Sequence, residues 1–574
     1  MTVGLFEIKN MKKNIFTKTL SVFAVATVLT GCIEETYPQG GTQREDQVMN
    51  SDLALAAMVN GISGAMMNAG TAGYFNAYGT QSDFGIPAIH IATESMLEDL
   101  AIMADNPNYY QFFPYAYNLG MGDNEWPASY FWDCYYAWIK LANSVISLID
   151  ENTTDELFQN YLGQAYTYRA AFYLDLSRLY EPKENELTDV SAVLGLTVPI
   201  VDEKTTEEMS RNNPRVTREK LYEFIFSDLK KAEKYLDGAK FNYAAPSLAA
   251  VYGLYARAYL EMGYWVEGGD KEAFKNAYDY ADKAIVTSGC SPLTQSQWED
   301  SATGFNNGSS NNAWIWGLTV SSEQLGNMLS FTAHLCGECV WGYGQQYTRP
   351  GAATAFYNKI RKGDFRRHSW YQPEEAKTYD YKLAGNAATQ AAFKKAADAA
   401  PGIAIKFRPV MAEVQNYTVG SPADHPLMRV EEMEFIKMEA KAQTDWSAAA
   451  DLLNNFMKTR ITDGSYDCKA KLEDDKLYVP VSDTKTFIDE MFFQKRVEFW
   501  GEGILIFDYK RLDKGITRYY KGSNHPAIWQ FNTRGRSPQW NIVINQVGEM
   551  SSNSGITDAT NNPDPSGKLE VPSN

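Results

Sequence analysis

Short catalytic signatures are missing from this chain of 574 residues, which has few of the side chains that they need. It contains 5 His and 6 Cys, and no HExxH, GxGxxG, P-loop or GxSxG motif. Zinc-protease, nucleotide-dependent and serine-hydrolase functions therefore lack their usual sequence support, and we expect no cofactor. Because glycoside hydrolases carry no motif this short, an enzyme stays as the weakest hypothesis.

The chain also has a deficit of positive charge. Its formal net charge is -18 at pH 7. Such a surface repels the phosphates of nucleic acid and anionic lipid headgroups. A neutral or cationic partner is expected, and no nucleic acid. Aromatic residues are abundant by contrast, at 13% of the chain with 36 Tyr and 13 Trp, so rings are available for surface stacking as well as for a core.

No hydrophobic run is long enough to span a bilayer, since the most apolar stretch covers only residues 20–29. A basic start precedes it and small residues follow, as in a secretory signal peptide. Leu29-Thr30-Gly31-Cys32 matches the bacterial lipobox, in which the cysteine is lipidated after cleavage. We predict a lipoprotein signal peptide over residues 1–31, with a true start at Met11, and a lipid anchor on Cys32.

Helical periodicity is the main positive feature, and it is clearest over residues 246–285. Apolar and aromatic residues fill the first half, and Ala277, Ala281 and Ala284 share one face of the second half. Small residues at this spacing let two helices approach closely. The pattern is typical of a tetratricopeptide (TPR) hairpin, whose repeat is about 34 residues long.

Further helices are predicted on both sides of this hairpin, over residues 52–67, 131–150, 155–180, 216–236, 428–442, 446–460 and 483–499, with Thr217 as a cap. Residues 68–130 and 289–426 lose the helical period and fill with rings and glycines. Long loops of this kind are often functional. The predicted fold is mainly α, a body of TPR-type hairpins carrying long irregular loops.

Four segments together carry a resemblance to a known family. They are the hairpin at 138–150 and 165–180, the helix that follows Arg215-Val216-Thr217, the run 428–440, and Arg496-Val497-Glu498-Phe499-Trp500-Gly501-Glu502-Gly503 with 507–512. The last motif is the most specific. The mature chain resembles the SusD/RagB family of nutrient-binding outer-membrane lipoproteins of Bacteroidetes over nearly its whole length.

The resemblance implies a SusD-like domain over residues 51–574, with an N-terminal part at 51–290 and a C-terminal part at 291–574, after a flexible tether at 32–50. It implies a non-catalytic protein, lipid-anchored at the cell surface, that captures oligosaccharides for a SusC-like TonB-dependent transporter. Peptide binding, as in RagB-like members, and a TPR scaffold for protein partners remain as alternatives.

Rings in the irregular segments are the candidate glycan-binding residues, because sugar C–H faces stack on aromatic planes. Trp314 and Trp316 come first, since alternate residues of an extended segment point the same way. A place in the core is equally open for both. Further candidates are Trp126, Tyr110, Tyr115, Trp341 and Tyr343, with Asp83, Asp99 and Asn106 as partners for hydroxyl groups.

Charged residues and cysteines complete the candidates. Glu498, Glu502, Asp508, Arg496, Lys510 and Arg511 suggest acid/base chemistry, but the interleaved cations favour a structural ion-pair network. The single CxxC at Cys336 and Cys339 lacks the second pair that a structural zinc site needs. A local disulfide or two thiols is the expectation there, and no metal site is predicted.

Overall fold

The computed structural model describes most of the chain, and its described part is mainly helical. The described residues are 52–68, 70, 81–103, 110, 112–116, 120–302, 305–320, 328–420, 422–471 and 478–569. The predicted signal peptide and tether, and with them Cys32, lie outside these ranges.

The α-helices of the described residues are, in chain order, α1 (Asp52–Ala65), α2 (Ile86–Ser95), α3 (Phe113–Ala116), α4 (Trp126–Leu148), α5 (Glu156–Tyr180), α6 (Glu207–Ser210), α7 (Arg218–Leu236), α8 (Leu248–Gly263), α9 (Lys271–Ser288), α10 (Gln295–Glu299), α11 (Phe331–Leu335), α12 (Thr354–Lys359), α13 (Ala387–Ala399), α14 (Tyr417–Gly420), α15 (Val430–Ala442), α16 (Trp446–Met457), α17 (Thr484–Phe499) and α18 (Leu505–Arg511).

The strands are short: β1 (Leu100–Ile102), β2 (Trp314–Leu318), β3 (Pro350–Ala352), β4 (Trp370–Tyr371), β5 (Ile403–Ala404) and β6 (His425–Arg429). They form an antiparallel sheet of order β1-β3-β5-β4 and a separate pair, β2-β6. In the larger sheet Leu100 lies opposite Ala352. In the pair, Trp314 lies opposite Arg429.

The long helices stack in chain order to form one body. α4 packs on α5, α5 on α7, α7 on α8, α8 on α9 and α9 on α15, which also contacts α16 and α17. In the α8–α9 hairpin, Ala277, Ala281 and Ala284 are fully buried. Thr217 accepts a hydrogen bond from the Lys220 N–H and begins α7. The predicted mainly α body with TPR-type hairpins, and the predicted cap, are confirmed.

The segments predicted to be irregular hold more structure than their patterns indicate. Residues 289–426 contain β2 to β5, none longer than five residues, and alternation over so few residues is too short to be recognised. Residues 68–130 contain α2, in which nine of ten residues are buried. A helix buried on all sides has no polar face, so it shows no amphipathic period.

Eight charged side chains meet in the core of the C-terminal half, and we call them the core ion network. The cations are Arg366, Lys406, Arg429 and Arg460, and the carboxylates are Asp364, Glu431, Glu498 and Glu502. Each residue is less than 5% exposed. Four positive charges balance four negative ones. The attraction between them offsets the free-energy cost of burying ions, because each buried charge has its counter-charge.

Glu498 lies at the centre of this network. Its carboxylate accepts hydrogen bonds from Arg460 Nε at 2.8 Å and from Arg366 Nη1 at 3.1 Å. Burial by itself raises the pKa of Glu498, but Arg460 first, then Arg429 and Arg366, hold that pKa well below its ordinary value. Glu502 accepts from Lys406 Nζ at 2.8 Å. Glu498 and Glu502 are therefore both paired with cations, as the predicted structural ion-pair network requires.

The other charged residues of the same motif bind the two halves of the chain together. Arg511 donates to Glu439 at 2.9 Å and to Glu261 at 3.0 Å. Arg496 Nε donates to Asp99 at 2.7 Å. Asp99 is therefore an ion-pair partner in the core, and it is not available as the loop hydroxyl partner that the sequence suggested.

Lys510 departs from the predicted ion pairing. Its Nζ donates to the carbonyls of Arg178 at 2.7 Å and Leu179 at 2.9 Å, in the last turn of α5. A cation at this position satisfies carbonyls that have no partner within the helix and meets the negative end of the helix dipole. Burial lowers the pKa of Lys510 to about 7.

We predict that Glu498→Gln destabilises the protein by about 3–5 kcal/mol, because it leaves buried guanidinium groups without their counter-charge. Urea titration of the two proteins measures the difference in unfolding free energy. Glu207→Gln is the matched control, since Glu207 pairs with Arg211 on the surface at 83% exposure and should change little. Equal stability of Glu498→Gln and wild type would contradict a structural role for the network.

A second prediction concerns Glu94, which is fully buried in α2. Burial raises its pKa from 4.5 to about 8. The folded state thus keeps a proton that the unfolded state loses, so this contribution to stability is complete below pH 4.5 and disappears as the pH rises towards 8.

Glu94→Gln cannot ionise, so we expect the variant to lose less stability than wild type between about pH 5 and 8, by up to roughly 1.4 kcal/mol per pH unit. Urea midpoints at several pH values give the two slopes. Parallel slopes for wild type and variant would show that Glu94 is ionised in the folded protein.

Candidate functional site

Trp314 and Trp316, the first glycan candidates, lie in the core. Both are on β2 and each is 2% exposed. Trp314 packs edge-on against Tyr243, with ring centroids 6.2 Å apart, and Trp316 packs against Tyr168 at 5.4 Å. The extended conformation is as predicted, but all five residues of β2 are buried, so both of its faces are covered. Of the two open alternatives, the core position is the one observed.

Three more candidates are also buried. Tyr110 is 0% exposed, Tyr115 is 1% exposed and Asp83 is 0% exposed. Burial removes their side chains from any surface on which a polysaccharide could lie, so their expected role as direct contacts does not hold in this conformation. Asn106 lies outside the described residues.

Trp341 and Tyr343 are partly exposed, and the structure brings them together with two tyrosines that the sequence did not single out. Tyr347 is 46% exposed and Tyr417 is 43% exposed. Trp341 and Tyr417 have ring centroids 6.4 Å apart, and Tyr343 and Tyr347 have centroids 6.0 Å apart. We call these four rings the ring platform.

Close backbone packing creates the first half of the platform. Residues Gly344–Thr348 form one π-helical turn directly after Tyr343. A Cβ on Gly344 would lie 2.6 Å from the Cys336 carbonyl oxygen, and one on Gly342 would lie 2.8 Å from the Ala333 carbonyl oxygen. Only glycine allows the chain to fold back on α11 so closely. The turn then directs Tyr347 into solvent.

A stack of rings supports the platform from below. The Tyr343 ring lies on the buried His334 ring at 5.1 Å and 16°, and His334 lies on Phe84 at 5.6 Å and 13°. The Tyr343 hydroxyl donates to the side chain of Gln81. Tyr343 is thereby fixed in position before a ligand arrives.

Residues 409–420 form the second half of the platform. The Val340 N–H donates to the Val414 carbonyl at 3.0 Å, which joins the two halves. Met411 and Ala412 have φ of 55° and 53°, in the left-handed region, and Met411 is 76% exposed. Non-glycine residues there are strained by about 1–3 kcal/mol each and cluster at ligand-binding sites.

The CxxC pair lies beneath the platform as two buried free thiols. Trp341 packs on the small cluster that contains Cys336, Cys339 and Val414. Burial raises the pKa of Cys339 well above its ordinary value. Between the thiols, Glu338 accepts from Arg408 Nε at 2.6 Å, so the segment is held by an ion pair as well as by packing.

The platform is close to electrically neutral. Its exposed polar side chains are the amides and hydroxyl of Gln346, Gln415, Asn416 and Thr418. Glu413 is the one ionisable carboxyl in residues 340–348 and 411–420. Rings with neutral hydrogen-bonding groups can hold a ligand that has apolar faces and hydroxyl edges.

Sequence reasoning found half of the platform. Trp341 and Tyr343 stand out in the ring-rich run 341–347, and Tyr347, four residues after Tyr343, belongs to the same run. Tyr417 is isolated in the sequence, and only the tertiary contact with Trp341 identifies it.

Two further properties of the described residues concern metal binding and membrane-spanning helices. Within the described part of the chain, no three His, Cys, Asp or Glu side chains lie close enough together to hold a metal ion. Nor does any described helix combine the length and the apolar character needed to cross a bilayer.

Known proteins share both sequence and fold with this chain. A family model, SusD-like, described as "Starch-binding associating with outer membrane", matches residues 71–260. SusD-like protein P2 of Formosa agariphila is 30% identical over 159 residues, 27% of this chain and 28% of that protein. The matched segment thus spans less than a third of this curated relative.

Solved structures extend the similarity in fold to most of the chain. A SusD-like carbohydrate binding protein from Bacteroides vulgatus has a TM-score of 0.64 at 19% identity, covering 89% of this chain and 98% of that one. A SusD superfamily protein from Bacteroides thetaiotaomicron has a TM-score of 0.63 at 19% identity, covering 89% and 100%.

The stacked hairpins with their sheet-bearing loops define a helical-repeat protein of the TPR type. More narrowly, the chain is similar to SusD-like proteins, in sequence over residues 71–260 and in fold over most of its length. The predicted resemblance to SusD-like proteins is confirmed.

We predict that Trp316→Ala lowers the unfolding free energy by about 3–5 kcal/mol, because it removes a fully buried indole. Thermal melting monitored by circular dichroism measures the loss. Tyr347→Ala, at an exposed ring, should alter the melting temperature little. If Trp316→Ala melted like wild type but bound glycans more weakly, Trp316 would be a ligand contact after all.

Proposed function

We propose that the protein binds oligosaccharides on the ring platform and delivers them to a SusC-like TonB-dependent transporter. The observation that carries this proposal is the exposed cluster of Trp341, Tyr343, Tyr347 and Tyr417 on a SusD-like fold. The family description, which names starch and the outer membrane, supports the ligand class and the location.

The chemistry of the platform suits a sugar chain. Pyranose rings present C–H groups that pack on aromatic faces, and stacking of this kind buries apolar surface without needing a deep pocket. The surrounding side chains, such as Gln346, Gln415 and Thr418, can exchange hydrogen bonds with hydroxyl groups. For a strongly cationic peptide, residues 340–348 and 411–420 offer Glu413 as their one carboxylate, so the platform favours a glycan over the peptide alternative.

Binding without catalysis is part of the proposal. Glu498 and Glu502 are buried and paired with arginine and lysine. The cations that hold Glu498 ionised also prevent it from serving as a general acid. The paired carboxylates of the motif are thus structural, which leaves the platform as a capture surface.

Delivery at the membrane surface follows from the N-terminal motif. We propose that Cys32, at the end of the lipobox, carries one lipid anchor after export. We propose a cell-surface position, where the body can cover a transporter and release a bound glycan into it.

Isothermal titration of the purified protein with a panel of oligosaccharides tests the proposal. We expect one class of glycan to bind, and Tyr347→Ala and Tyr417→Ala each to weaken its affinity about tenfold, which is 1.4 kcal/mol. Tyr347→Phe keeps the ring and should bind like wild type.

Tyr519→Ala is the matched control, because Tyr519 is 41% exposed and lies outside the platform. Its affinity should equal that of wild type. Glycan binding that none of the platform substitutions alters would place the site elsewhere, and titration heat from peptides alone would replace the glycan by a peptide ligand.

A further inference from the structure

A cavity lies at the start of α4, away from the ring platform. Its wall combines Trp126, Ser129 and Trp132 of α4 with Asn545, Val547 and Glu549 of a π-helical turn near the C-terminus. It therefore joins two segments that are more than 400 residues apart. Its volume is about 220 Å³, below the roughly 300–1,000 Å³ of pockets that take drug-sized ligands. One sugar ring fits that space better than an oligosaccharide.

The Ser129 hydroxyl is the most informative group in this cavity. Ser129 is 8% exposed, and its hydroxyl has no hydrogen-bond partner within the described part of the protein. Other serines of α4 behave differently, since Ser144 donates to the Lys140 carbonyl at 2.9 Å and Ser147 to the Ser144 carbonyl at 2.9 Å. Ser129 lines the cavity, so its hydroxyl can donate to a ligand there and accept from one.

The remaining polar groups are held in place and still have free capacity. Glu549 accepts from the indole N–H of Trp132 at 3.2 Å and from the Asn553 amide at 3.0 Å. The side-chain oxygen Oδ1 of Asn545 accepts from the Gly548 N–H at 2.8 Å. The NH₂ group of the same side chain is left to donate to a ligand. Each carboxylate oxygen has a second lone pair for a hydroxyl group.

Charge narrows the class of ligand. Asp133 and Glu549 line the cavity, and among the described residues neither a lysine nor an arginine does. A uronic acid or a sulfated sugar would place its negative charge beside these carboxylates without a compensating cation. A neutral sugar carries only hydroxyl groups, which can donate to the carboxylates and accept from Ser129 and Asn545.

Ring contacts connect this cavity with the ring platform. Trp126 packs on Tyr115 at 6.1 Å, Tyr115 on Phe112 at 6.4 Å and Phe112 on His334 at 5.1 Å. His334 lies directly under Tyr343 of the platform. The cavity and the platform thus belong to one aromatic layer, in which Tyr115 has a supporting position and Trp126 borders the cavity.

We infer that the cavity formed by Trp126, Ser129, Asn545 and Glu549 binds one neutral pyranose unit, separately from the ring platform. This inference rests on the proposed function for its ligand class, which is sugars, and it narrows that class to uncharged sugar units. Trp126, one of the candidates from the sequence, forms part of the wall of this cavity.

Saturation-transfer NMR of the purified protein tests the inference, with the methyl glycosides of glucose, galactose, mannose and xylose as probes and glucuronic and galacturonic acids as charged counterparts. We expect at least one neutral glycoside to bind and the uronic acids to bind at least tenfold more weakly. Ser129→Leu fills the cavity and should abolish the signal, and Ser129→Ala should weaken binding several-fold.

Ser147→Leu is the matched control, since it makes the same change on the exposed side of α4 and should bind like wild type. Thermal melting of each variant shows whether it is folded. A neutral glycoside that binds folded Ser129→Leu as tightly as wild type would overturn the inference, and so would tighter binding of the uronic acids.

The outcomes also separate this inference from the proposed function. If oligosaccharides bind and respond to platform substitutions, but no methyl glycoside binds, the cavity inference alone fails. If no oligosaccharide binds while a methyl glycoside binds wild type and not Ser129→Leu, the cavity stands and the platform proposal fails.

Discussion

Arg429 and Glu498 form the centre on which the C-terminal half of the protein depends. Around them, cations and carboxylates neutralise one another at exposures below 5%. These side chains come from the turn at 364–366, from Lys406, from α15, from the end of α16 and from α17. Such a network adds little stability relative to an apolar core, but the loss of one member leaves a buried charge without a partner. It therefore fixes which segments meet, and Arg511, bonded to Glu261 and Glu439, extends the same constraint to the TPR hairpins.

The abundance of aromatic residues serves mainly this interior. Trp314, Trp316, Tyr110 and Tyr115 are core residues, and rings contact rings from Trp126 across to Tyr343. A layer of this kind is rigid, because close-packed interiors do not deform continuously. The Tyr343 ring of the platform stacks on this layer through His334 and is thereby held in a fixed position, which lowers the conformational entropy that a bound ligand would have to remove.

Backbone strain is found beside the ring platform, and polar side chains line the cavity. Met411 and Ala412 adopt left-handed backbone conformations beside the platform, and the Ser129 hydroxyl lines the cavity. The predicted cap Thr217 and the small-residue face of Ala277, Ala281 and Ala284 lie in their predicted places. Local departures of this sort are expected at functional positions, where binding opposes stability.

The sequence by itself determined the long helices, the TPR-type hairpins and the ion-paired motif near residue 500, because periodicity, caps and charge spacing are properties of neighbouring residues. It indicated Trp341 and Tyr343 as candidate binding rings, but it placed Trp314 and Trp316 before them, since a tryptophan on a short extended segment has the same local pattern in a core and on a surface. Tertiary structure decided that question by covering β2 with helices and by leaving the turn after Tyr343 uncovered. It also joined Tyr417 to Trp341 and Asn545 to Ser129, because contacts between distant segments depend on how the elements pack and leave no trace in local sequence.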